Sequence, residues 1–161
     1  MMRWNFTDTV RNGIIAGAAG GLAEVLWVSF YAALSGGNAA SIARGVTSAA
    51  GVIALLPATS MVFGIVIHMA LALALGVALA FAWRITAACR LDHASYGLTI
   101  FALGGVWAIN FFVLLPAISP AFVYLVPYSV SLLSKLLFGF AAAEVLRRCG
   151  AERARVAEAG G

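Results

Sequence analysis

The sequence predicts an all-α fold: a polytopic integral membrane four-helix bundle with a short interfacial or re-entrant helix on its outer side. Three observations lead there. Of 161 residues, 63% are hydrophobic and 10% charged, and the mean hydropathy is +1.02. An ordinary soluble domain carries about 25% charged residues, and a soluble fold could not keep this much apolar surface out of water. The apolar residues also run in long blocks without strand-like alternation, and the basic residues sit at the ends of those blocks. The whole chain, 1–161, is read as a single transmembrane domain.

A spanning helix needs roughly 20 mostly apolar residues to cross a ~30 Å hydrocarbon layer. Four stretches qualify, at about 13–34, 61–83, 95–115 and 126–146. At that depth backbone groups must pair internally, so the stretches are helices. The first is too long for the h-region of a cleavable signal, carries Glu24 at its centre and lacks a small-x-small cleavage site, so it is expected to be retained. On one face it bears Gly13, Gly17 and Gly21, two overlapping GxxxG steps that let another backbone approach closely. Ala70, Ala74, Ala78 and Ala82 form a comparable stripe on the second span, and Gly139 with Ala143 does so on the fourth. These stripes suit packing inside the bundle or contact with a second copy.

Between the first two spans, residues 38–56 are small and apolar, with Asn38 as an N-cap and Arg44 within. The last apolar run, 46–56, is too short to span and ends at Pro57. It reads as interfacial or re-entrant. Residues 147–161 read as a cytoplasmic tail, short, polar and frayed from Gly150 to Gly161. Two fragments recur: Ala18–Gly21 resembles Ala102–Gly105, and Leu55–Ser60 resembles Leu114–Ser119. Either the chain contains two parallel helical hairpins or an Ala/Leu/Gly-rich sequence repeats by coincidence.

The charges set the orientation. Arg3, Arg11, Arg84, Arg90, Arg147, Arg148, Arg153 and Arg155 share one side of a four-span protein, and only Arg44 lies opposite. The positive-inside rule therefore puts both termini in the cytoplasm. Trp4, Trp83, Tyr31, Tyr96 and Tyr124 fall near the interfaces, as an aromatic belt would. A plasma (inner) membrane is expected, since nothing resembles an organelle import segment. The pI near 9.6 does not point to nucleic acid, because the basic residues form no patch. Cys89 and Cys149 lie at cytoplasmic helix ends, where free thiols are expected.

Four polar residues are costly where they sit: Glu24, His68, Asn110 and Lys135, one in each span. A charge at the bilayer centre costs about 2.5–3.5 kcal/mol on insertion scales. A rise of 1.5 Å per residue puts Glu24 roughly 16 Å and Lys135 roughly 18 Å from the cytoplasmic ends, with Asn110 and His68 slightly farther out, at about 21 and 24 Å. The sequence thus predicts a Glu24–Lys135 ion pair, with His68 and Asn110 completing a polar network. Trp27 and Tyr31 flank Glu24 on its helical face, and Tyr128 and Ser131 flank Lys135. The network has three readings: it fixes helix register, it marks a proton or ion route, or it holds a metal. One His, one Glu and one Asn make a thin metal shell, so no metal and no cofactor is assigned. His93 falls in a cytoplasmic loop, which rules out a bis-His haem within one chain. No P-loop, GxSxG, HExxH or dinucleotide fingerprint is present, and no catalytic residue is assigned.

The leading expectation is a small non-enzymatic membrane protein: a subunit or assembly partner of a complex, or a self-associating bundle. The alternative is a compact transporter or channel component for protons, metal ions or a small solute. Its partners would be the lipid bilayer, other membrane subunits or a second copy of itself, and not nucleic acid. What separates the two is whether Glu24 and Lys135 face one another in a dry interior or line a cavity.

Overall fold

The computed structural model describes residues 5–49, 60–88 and 95–159. These are helical almost throughout: α1 (Phe6–Leu34), α2 (Ala39–Ala49), α3 (Ser60–Ala88), α4 (Ser95–Ile109), a π-helical turn (Asn110–Leu114), α5 (Leu115–Ile118), α6 (Pro120–Val123) and α7 (Tyr128–Ala159). No strand occurs among the described residues. Among the described residues, four stretches are long and apolar enough to cross a membrane: Phe6–Leu34, Met61–Thr86, Ser95–Ile118 and Tyr128–Glu152.

The helices overrun the expected spans, each for a local reason. α1 begins at Phe6 rather than Gly13 because Asn5 caps it, its side-chain oxygen accepting the Asp8 amide at 2.8 Å. Asp8 adds an acidic group where the helix dipole favours one. The helix stops where Gly36 turns left-handed (φ 68°) and Gly37 donates back to the Ala32 carbonyl at 2.9 Å. At the other end of the chain, the expected frayed tail is helical as far as Ala159. Residues 151–159 are mostly Ala, Glu and Arg, strong helix formers. Glu144 adds support by accepting from Arg147 and from Arg148 at 2.7 Å each, the spacing at which helical side chains meet.

The third span also exceeds its expected end at Leu115, continuing to Ile118 through the π-turn. Pro116 has no N–H to continue the ladder. Just before it, the Leu115 amide reaches back to the Asn110 carbonyl, and that wider turn carries the chain past the proline.

α1 is the hub. It packs along α3 on one side and α7 on the other, and α4 packs on the far side of α7. Gly17 and Gly76 set the α1–α3 distance: a β-carbon on Gly17 would lie 2.5 Å from the Ala72 carbonyl, and one on Gly76 would strike Gly17 and Gly13. The α3 face in this contact is therefore Ala72, Gly76 and Ala80. The expected stripe of Ala70, Ala74, Ala78 and Ala82 instead faces outward. α1 meets α7 where the Phe138 ring lies over Gly20, and Gly139 receives Leu103 and Ile100 of α4. Ala16, Ala72, Leu103, Phe138, Ala142 and Leu146 close the core between these helices.

α3 and α4 touch little. They are tied at one end, where Trp83 donates to Thr99 at 2.7 Å and Thr86 pairs with Ser95 at 2.9 Å. At the other end α2 fills the gap: Asn38 caps it by accepting the Ala40 amide at 2.8 Å, and it rests on α3 where Gly64 faces Ala43 and Thr47. The rest of the 38–56 segment lies outside the described residues, as do Arg3, Trp4, Pro57, Cys89, Arg90, His93 and most of the Leu55–Ser60 fragment. The other recurrent fragment has unlike surroundings in its two copies. Gly20 and Gly21 are packed against side chains, whereas Gly104 and Gly105 face open space.

Candidate functional site: a charged cluster in a cavity wall

α1, α3 and α7 bring Glu24, His68 and Lys135 together. Lys135 Nζ lies 2.7 Å from Glu24 Oε1, and Ser134 Oγ donates to the same oxygen at 3.2 Å. His68 Nε2 stands 3.6 Å from Glu24 Oε2, within ion-pair range but beyond a hydrogen bond. Glu24 is 3% exposed, Lys135 19% and His68 28%. Lys135 also sits 5.5 Å from the centre of the Phe138 ring, a cation–π contact that helps fix its head.

His68 is not above Glu24, as the residue count suggested, but level with it. That count took each helix as upright, and a residue count ignores the tilt and crossing that set the actual levels. Asn110 is brought to the same cavity but makes no hydrogen bond to the cluster. It occupies the first position of the π-turn.

The flanking residues are anchors. Trp27 donates to the Val130 carbonyl at 3.0 Å and binds α1 to the first turn of α7. Ser131 accepts from Trp107 at 2.9 Å and donates to the Tyr128 carbonyl at 3.0 Å. Tyr128 joins an aromatic group with Trp107, Phe111 and Phe112, its ring centre 5.6 Å from that of Phe112. Tyr31 lies two turns beyond Glu24 and does not take part in the cluster.

The cluster lines a half-open cavity of about 580 Å³. Val25, Val28, Ile65, Leu71, Val106 and Phe111 supply apolar wall, and Ile42 and Val46 of α2 cover it. Its polar residues are Glu24, Ser29, His68, Asn110, Ser131, Ser134 and Lys135. The chain matches no protein-family model, no curated protein and no solved structure. The chemistry must therefore be read from the site itself.

Two atoms define what the site can do. Glu24 Oε2 and His68 Nε2 are buried and have no hydrogen-bond partner among the described residues. A buried carboxylate oxygen left this way costs about 1–3 kcal/mol or more, so the pair is poised to take a bridging group. Among the described residues no three His, Cys, Asp or Glu side chains are grouped to hold a metal ion. Ser134, Gly20 and Gly76 were not anticipated from sequence, and a cavity beside the cluster was only one of two alternatives. Ser134 precedes Lys135 and could have been found by asking which hydroxyl shares its turn. Gly76 falls one turn beyond Ala72, but the alanine stripe beside it carried the stronger pattern.

Proposed function

We propose that the chain is a multi-pass membrane protein with four spans and cytoplasmic termini, acting as a compact transport component that holds a small solute. Four apolar helices of spanning length support insertion, and the distribution of arginines supports the orientation. α2 then lies on the outer side, over the outer half of the spans.

The observation that carries the functional reading is the cavity. An ion pair that served only to fix helix register would be enclosed by packed side chains. Glu24, His68 and Lys135 are instead part of the wall of a space of about 580 Å³. That volume falls in the ~300–1,000 Å³ range of ligand pockets, which are mostly apolar with a few convergent polar groups. Intramembrane ionisable residues that face a cavity mark solute or proton routes more often than structure. The alternative, a subunit or assembly partner, rests on short connections and outward apolar faces, which any lipid-embedded helix shares.

The native mass of the tagged chain, extracted gently from its own membranes, separates the two. A particle containing this chain alone, as a monomer or homo-oligomer, is expected. A stoichiometric companion protein would overturn the reading and make the chain a subunit.

A further inference from the structure

Resting on the reading of the cavity as a solute site, we propose that its occupant is an uncharged, largely apolar molecule bearing a hydroxyl group, such as a lipid-soluble alcohol or phenol. The hydroxyl would bridge Glu24 and His68.

The charge of the site points to a neutral ligand. Glu24 and Lys135 lie 2.7 Å apart and cancel one another. A charged ligand would lose its hydration on entry with no free counter-charge to replace it, a cost of several kcal/mol per ion. A neutral molecule avoids that cost and gains from the apolar wall, at about 25 cal/mol per Å² buried.

The unpartnered atoms point to the hydroxyl. Glu24 Oε2 can only accept, and it faces His68 Nε2 across 3.6 Å. With the imidazole proton on Nε2, one oxygen placed beside both atoms donates its proton to Oε2 and accepts from Nε2–H, so in that tautomer a single hydroxyl satisfies both buried groups. An ether or ketone cannot donate to Oε2. Asn110 lines the same cavity with its amide free of the cluster and can contact a second polar atom of the ligand. The π-turn that presents it is a feature frequent at functional sites.

α3 and α4 are tied at the end carrying Trp83 and Thr99 and make few other contacts, and residues of both, Leu71 and Val106 among them, line the cavity.

The test uses the full chain in lipid nanodiscs, with ligand concentrations expressed as mole fraction in lipid. The probes are 4-octylphenol, octylbenzene as its match without the hydroxyl, and octanoate as a charged control. Octylphenol is expected to bind at least ten times more tightly than octylbenzene or octanoate. Val28→Trp, which fills apolar space one turn from Glu24, should abolish binding of all three. His68→Phe should remove the preference for the phenol, as should Glu24→Met combined with Lys135→Met, which replaces the ion pair by apolar groups without leaving either charge alone. Equal binding of octylphenol and octylbenzene overturns the hydroxyl assignment but leaves the cavity reading standing. Tighter binding of octanoate overturns the assignment of a neutral ligand. If none of the probes binds, both readings fall together.

Discussion

Glu24 is held on one oxygen by Lys135 and Ser134 and presents the other to His68. Removing either partner of a buried pair strands a charge, which costs about 3–5 kcal/mol in comparable sites, whereas replacing both with apolar groups is often neutral. Glu24→Gln and Lys135→Met should therefore each lower the thermal midpoint in mild detergent, and the double variant should recover much of the loss. A double variant worse than both singles would contradict the pairing. The juxtaposition of Glu24 and Lys135 was legible in the sequence because polar residues stand out sharply against an apolar background. The level of His68 was not, because a residue count ignores helix tilt and where the helices cross. Which hydroxyl would meet Glu24 was also hidden, since Ser131 and Ser134 lie on nearby turns of α7 and only packing chooses between them.

At the scale of elements, the close α1–α3 contact depends on Gly17 and Gly76 having no side chains. Gly76→Leu forces the backbones apart and should cost at least the 1–3 kcal/mol typical of an overpacked core. Ala78→Leu lies on the outward stripe and should change stability by no more than about 0.5 kcal/mol. Thermal unfolding of the two variants side by side checks the assignment; the reverse order would mean that the stripe, not Gly76, faces α1. Small-residue spacing shows that a helix can be approached closely, but on α3 two such stripes coexist, offset by two residues. Periodicity alone could not rank them. The π-turn was hidden for a related reason: Pro116 reads as a terminator, and the detour that accommodates it leaves no mark on the hydropathy profile.

At the scale of the molecule, the sequence reads well where long-range physics is simple. Long apolar blocks predict helices of spanning length, and the four the structure contains follow those blocks. A side-by-side order of α3, α1, α7 and α4 is not legible in that way, because nothing in one dimension tells which helices touch. α3 and α4 are tied by Trp83, Thr86, Ser95 and Thr99 and otherwise make few contacts, and both line the cavity. Arginine placement predicts that a reporter fused after residue 159 is active only in the cytoplasm, and one inserted near Arg44 only on the outer side. Both on one side would contradict a four-span topology.

The central claim is that the charged cluster lines a cavity open to the outer half of a membrane protein. With Cys89 and Cys149 replaced by serine, single cysteines at Val46 and Val28, which line the cavity, can be compared with one at Leu26, which is 69% exposed on the outer surface of α1 and lies outside it. The measurement is their reaction with a membrane-impermeant maleimide added to the outer side of intact cells. The account predicts labelling at Val46 and Val28, and protection by lipid at Leu26. Protection at both cavity positions with labelling at Leu26 would contradict it.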